Sequence, residues 1–196
     1  PICSQWSADA EVYACCMAAL WNATLTAMCV LEFPPGLNPD YAVNRLYLAE
    51  MMKDATGHLA ELKMRAANRG LSIHTRVAYG IPSEELLTAA KAEDSDLVVV
   101  GTKGKSGLAH VLLGSTAERV IRTAPCPVLA VRSHPQGTSP GGADPCQGIS
   151  LSHILVPVDF SDCSLDALEY AVLVARRVGA SIRDRKSTRL NSSHVS

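Results

Sequence analysis

Glycines at positions 101, 104 and 114, the last followed at once by Ser115 and Thr116, are the residues of this 196-residue chain whose types and spacing point to chemistry. Written out, they are Gly101-Thr102-Lys103-Gly104, nine residues, then Gly114-Ser115-Thr116. The apolar run Leu97–Val100 before them reads as a buried strand, and the segment from Ser115 onward as a helix. Where a strand ends in a glycine-rich loop that leads into a helix, backbone N–H groups converge on phosphate oxygens and the helix dipole adds positive potential. Glycine is needed there because a Cβ would block close approach and because such loops often require positive φ. Ser115 and Thr116 add hydroxyl donors, so the chemistry expected is the binding of an anion.

Neighbouring readings narrow this. Ser115-Thr116-Ala117-Glu118 also forms a capping box, worth about 1 kcal/mol to a helix whether or not a ligand binds. A Walker A loop is excluded, since Gly104-Lys105-Ser106 would need a glycine where Val99 stands, and no G-x-G-x-x-G occurs. Lys103 and Lys105 suit a triphosphate as point charges, although loop lysines are usually solvated. His58, His74, His110, His134 and His153 show none of the spacings that hold a metal. Asp94 and Asp96 fall at the far end of the 97–100 strand from Gly101, where turn chemistry accounts for them. No nucleophile with a base and no carboxylate pair can be assembled near Gly101, so the expectation is a binding protein and not an enzyme.

Composition sets the bounds within which such a loop works. The chain is 47% hydrophobic and 19% charged, enough for one domain or one and part of another. Eighteen Lys and Arg against nineteen Asp and Glu leave no basic excess for a run of phosphates, which excludes generic nucleic-acid binding. No apolar stretch approaches the roughly 20 residues of a membrane span. Ala14–Trp21 lacks the basic flank of a signal peptide, with Asp9 and Glu11 where positive charge belongs. Cysteines at 3, 15, 16, 29, 126, 146 and 163 are odd in number and contain no C-x-x-C. Buried thiols in a reducing, cytoplasmic setting are therefore expected, without a disulfide framework or zinc site.

The elements that must hold the loop follow from periodicity. From Ser7 to Asn22, Ala10, Ala14, Met17, Ala18 and Trp21 recur at helical spacing. A strand over Thr24–Phe33 stops at Pro34-Pro35-Gly36. A long amphipathic helix between Asp40 and Gly70 follows, then a strand over Leu71–Ala78 with alternate residues inward. Gly80 and Pro82 open a short helix carrying Leu86, Leu87 and Ala90. The strand 97–100, a helix over 115–123 and a strand over 127–131 complete the order. Alternating strands and helices predict an α/β domain with a mainly parallel sheet. Residues 133–150, rich in Pro and Gly, read as a linker. Beyond it lie a strand over 154–158 and a helix over 161–178. Ser164–Ala171 matches Ser7–Ala14 at Ser, Asp, Ala, Tyr and Ala without a gap, the mark of a tandem repeat.

With these residues in place the sequence resembles the universal stress protein family. Its ATP-binding members carry G-x2-G-x9-G-[S/T], the spacing of Gly101, Gly104, Gly114 and Ser115. Pro125–Arg132 is similar to the family's closing strand and Ile154–Ser161 to its opening one. The resemblance implies a flavodoxin-like (HUP-type) sheet with helices on both faces, ATP as ligand with Mg²⁺ accompanying the triphosphate, and a role in stress response or signalling. It also implies a homodimer or an intramolecular tandem pair. By residue it implies phosphate and ribose contacts from Gly101, Thr102, Lys103, Gly104, Gly114, Ser115 and Thr116, a backbone contact to adenine from Val30, and a nucleoside contact from Asp159. Slow ATP hydrolysis or adenylyl transfer on the same fold, and a dimerisation module without nucleotide, are the alternatives.

The repeat places Val158-Asp159-Phe160 opposite Pro1-Ile2-Cys3, so the first copy, over 1–132, is expected to lack most of its first strand and its own Asp. The second copy is expected over 151–182, with 183–196 a tail outside the fold. Either the first copy is impaired in recognising a nucleoside, or strand 154–158 folds back into its vacant first-strand slot and delivers Asp159.

Overall fold

The computed structural model describes residues 8–32, 41–102, 113–132 and 151–186. The chain divides into two compact units, Pro1–Cys146 and Gln147–Ser196.

In the first unit the elements run α1 (Ala8–Trp21), β1 (Leu25–Leu31), α2 (Ala42–Ala67), β2 (Ile73–Tyr79), α3 (Pro82–Ala92), β3 (Val98–Gly101), α4 (Ser115–Thr123) and β4 (Val128–Val131). Each begins and ends within a few residues of the sequence expectation. Pro82 occupies the first turn of α3, where its missing N–H costs nothing. The end of α2 is set at Gly70, whose φ of 74° is open to glycine. There the Gly70 N–H donates to the Ala67 carbonyl and the Leu71 N–H to the Ala66 carbonyl, the paired bonds of a Schellman closure.

The helices cover both faces of the strands. Ala27, Cys29 and Leu31 of β1 pack on Met51, Ala55 and Leu59 of α2. Cys15 of α1 joins Leu62 and Ala66 of α2 over Ile73 of β2. On the opposite face Val98 and Val100 of β3 and Val128 of β4 meet Leu86 of α3 and Ala117 and Val120 of α4. The alternation expected along 71–78 holds at Ile73 and Val77 but fails at Thr75, which is exposed, while Ala78 is buried out of phase.

All strand pairing is parallel: β1 with β2 from Leu25↔Ile73 to Leu31↔Tyr79, and β3 with β4 from Val98↔Val128 to Gly101↔Val131. These are two separate two-stranded ladders, and among the described residues no pairing joins them. Helix α1 lies against β1 of one ladder and against β3 and β4 of the other. It is fastened to α2 by Glu11, whose Oε1 is 3.1 Å from His58 Nε2 and whose Oε2 accepts from Arg65 at 3.0 Å.

The second unit is a βαβ segment: β5 (His153–Val158), α5 (Asp162–Val178) and β6 (Ser181–Lys186). Two expectations are corrected here. Residues 183–186 belong to the fold, since β6 pairs in parallel with β5 through Leu155↔Arg183 and on to Val158↔Lys186. Apolar periodicity missed them because Arg183-Asp184-Arg185-Lys186 offers none; the ladder holds them through the backbone. The partner of β5 in this unit is β6, brought back by α5 in the short parallel crossover that chain connectivity favours. The expectation of free thiols is corrected at Cys16, which is disulfide-bonded; among the described residues Cys15, Cys29, Cys126 and Cys163 are free. The linker 133–150 also lies outside them.

Removing the Glu11 carboxylate leaves Arg65 and His58 without their α1 anchor. Glu11→Ala is expected to lower stability by about 1–2 kcal/mol, the range for a partly buried charge-assisted contact, read as an earlier urea midpoint.

Candidate functional site

The strand β3 delivers Gly101, half-buried, and then Thr102, which is 7% exposed. Two backbone hydrogen bonds fix Thr102: its N–H donates to the Val131 carbonyl at 2.8 Å, and its carbonyl accepts from the Gly114 N–H at 2.7 Å. The second bond closes the base of the loop between β3 and α4. Gly114 is thereby held at the N-cap of α4, extended at φ −72° and ψ 150°, with Ser115 and Thr116 in the first helical turn.

The cap residue of α4 has no side chain with which to cap the helix. The capping box expected of Ser115 and Glu118 is absent because Gly114 takes the cap position, which puts Ser115 one residue inside the helix. Glu118 turns along the helix instead, its Oε1 3.1 Å from Arg122. The first-turn N–H groups, which have no partners within a helix, therefore receive no acceptor from the cap residue. Beside them the Thr102 hydroxyl is buried and has no hydrogen-bond partner among the described residues. A buried polar atom left unpaired costs about 1–3 kcal/mol, so this hydroxyl and the uncapped helix end are two independent unmet demands, both answered by an acceptor-rich anion.

The structure brings Gly101, Thr102, Gly114, Ser115 and Thr116 together; Lys103 and Gly104 lie outside the described residues. Val30 stands near the C-terminal end of β1, half-buried and paired with Ala78. Gly80, which sequence marks only as a turn, donates its N–H to the Leu31 carbonyl at 3.1 Å and ties the ends of β1 and β2. Its φ is 141°, and a Cβ there would come 3.0 Å from Glu85 Oε1. No pattern in the sequence signals that bond, because its partner is 49 residues away, between Leu31 and Gly80.

Asp159 belongs to the second unit, where its carboxylate is already engaged. Its Oδ1 accepts from the Ser161 hydroxyl at 2.6 Å and from the Ser161 N–H at 3.0 Å. Ser161 in turn caps α5, accepting from the Ser164 N–H at 3.3 Å. Hydrogen bonds from Ser161, side chain first and backbone second, lower the Asp159 pKa from 3.8 to about 2. Among the described residues no group of three or more His, Cys, Asp or Glu is arranged to hold a metal, and no helix is long and apolar enough to cross a membrane.

Comparison with known proteins bears on this arrangement. The model of the universal stress protein family matches residues 3–132. Universal stress protein MJ0531 of Methanocaldococcus jannaschii is 35% identical over 130 residues, which are 66% of this chain and 76% of that one. Other curated relatives are matched over about half their length, 56% and 51% for two of them. A universal stress protein solved in complex with cAMP is similar at 29% identity and a TM-score of 0.52, over 67% of this chain and 92% of that one. A universal stress protein of Archaeoglobus fulgidus shares the fold over 98% of this chain and 66% of its own, with a TM-score of 0.73 and 21% identity. The solved relatives carry the flavodoxin-like α/β fold expected from the sequence.

The lowered pKa of Asp159 makes a signed prediction. Its contribution to the α5 N-terminus is in place above the ordinary value of 3.8 and is lost as pH falls through about 2. In an NMR titration the Asp159 carboxyl carbon should therefore turn over near pH 2, and Ser161→Ala should move that midpoint up toward the ordinary value.

Proposed function

The chain belongs to the universal stress protein family, and from that premise we propose that its first unit binds a nucleotide, with ATP as the ligand, at the loop between β3 and α4. The observation that carries this reading is the Thr102 hydroxyl, buried and without a partner among the described residues, beside a helix whose cap residue is a glycine. The residues present fit a polyphosphate. Backbone N–H groups of Gly101, Gly104 and the first turn of α4, which Gly114 lets a phosphate approach closely, supply donors together with the hydroxyls of Thr102, Ser115 and Thr116, and Lys103 supplies charge. Val30 meets the adenine through its backbone at the end of the neighbouring ladder. Ligands of open α/β sheets gather at the C-terminal ends of strands, which is where Val30 and Gly101 stand. Mg²⁺ accompanies the triphosphate, held by phosphate oxygens more than by protein.

Asp159 serves the second unit, the start of a tandem copy, and the first unit binds without an acid of its own. The role is that of a nucleotide-dependent stress or signalling module in the cytoplasm, acting as a homodimer or tandem pair, with occupancy and not turnover as its output. A cyclic nucleotide is the second reading, favoured by the cAMP complex of a relative 29% identical to this chain.

Calorimetric titration of the chain with Mg·ATP and, separately, with cAMP decides between them. Saturable ATP binding that Gly114→Val abolishes is expected. Thr102→Val should weaken it about 5- to 20-fold, one hydrogen bond's worth, while leaving the unfolding temperature of the free protein unchanged or raised, since it removes an unpaired buried hydroxyl. Tighter binding of cAMP would replace ATP as the ligand, and no binding of either by folded protein would overturn the reading.

A further inference from the structure

Helix α3 follows β2 and α4 follows β3, and the two pack together through Leu86, Ala117 and Val120. A charge pair joins them near their N-terminal ends: Arg119 Nη2 donates to Glu84 Oε1 at 2.9 Å. Glu84 stands in the first turn of α3. Arg119 follows Ser115 by four residues, so the two share a face of α4, about 6 Å apart along its axis. A helical side chain leans toward the N-terminus and covers the turn before its own Cα. The Arg119 side chain therefore overlies the turn of Ser115 and Thr116, where the phosphates are placed. The other base of α4, Arg122, is taken by Glu118 of its own helix, 3.1 Å away.

The pair between the helices is cheap to break. Its side chains are 55% exposed at Arg119 and 50% at Glu84, and an ion pair so exposed is worth no more than about fivefold in an equilibrium constant. A polyphosphate brings several charges and grips a guanidinium with two oxygens, where Glu84 offers Arg119 one. We propose that Arg119 is an affinity-setting residue shared between two anions: Glu84 holds it in the empty protein, and phosphate takes it when nucleotide binds. Glu84 is then a built-in competitor, and each binding event undoes one tie between α3 and α4. This rests on the reading of the β3–α4 loop as the nucleotide site. It adds to that site a residue that the glycine spacing does not contain.

Calorimetric titration of the full chain with Mg·ATP, at low and fixed ionic strength, tests it through a double-mutant cycle. Glu84→Gln should tighten binding about two- to fivefold, because Arg119 is released from its competitor. Arg119→Gln should weaken it about 5- to 20-fold, the loss of one charge-assisted contact. In the Arg119→Gln background, Glu84→Gln should change nothing, since Glu84 acts only through Arg119. A pair that merely braced the helices would give losses of the same sign from both single variants. A carboxylate that merely repelled phosphate would keep its effect without Arg119. Either result, or an Arg119→Gln affinity equal to that of the unaltered chain, overturns the proposal and leaves the nucleotide reading standing. No ATP binding by the unaltered chain overturns both together. Both side chains are exposed, so the unfolding temperature of the free protein is expected to hold in every variant.

Discussion

One backbone hydrogen bond, from the Gly114 N–H to the Thr102 carbonyl, decides where α4 begins and what its first turn faces. The chain leaves β3 at Thr102 and must return within a fixed distance of it. Closing the loop at its base puts the helix N-terminus against the end of the strand. The same bond gives Gly114 the cap position, a residue with no side chain to accept from the first-turn N–H groups. It helps hold Thr102 in place, so that a hydroxyl on a buried residue is presented without a partner. Each unmet demand would be cheap to remove by evolution or design: a serine at the cap, a valine at 102. Their coexistence at one spot gives a purely local geometry its functional meaning.

Much of this was legible in the residues, and for identifiable reasons. Glycine spacing marks the loop because backbone approach requires it wherever the chain goes next. Continuous valines at 98–100 mark a strand covered on both faces, and the helical period of 115–123 marks α4 to the residue. What could not be read depended on non-local partners. Serine at 115 carries a good capping signal, yet the cap is a matter of which residue leaves helical geometry first, and the tertiary bond at Gly114 settled that. The charged run Arg183–Lys186 has no apolar period, but a strand can be recruited by its neighbour's backbone alone. Gly80 looked like an ordinary turn until Leu31 was found at its amide.

Asp159 illustrates a different limit. Its position in the motif is plain, but a carboxylate at the start of a helix always has work available at home. Here Ser161 and Ser164 engage it, and hydrogen bonding to the charged form keeps it ionised over the whole ordinary pH range. Sequence can identify an acid; only coordinates show how much of its bonding capacity is already spoken for.

The division of the first unit's strands into two ladders has a consequence for how it moves. Across a continuous sheet, backbone bonds couple every strand to the next, and opening one strand exposes another. Among the described residues no backbone bond joins β1 to β3, and the two ladders are bridged by α1, which lies against β1, β3 and β4, and by α3, which lies against β1 and α4. Ladders joined through helices, without a backbone ladder between them, open with less mutual coupling than neighbours in a continuous sheet. Val30 stands in β1 and Gly101 in β3, so a ligand touching both would act as a clasp, tying the opening of one ladder to that of the other.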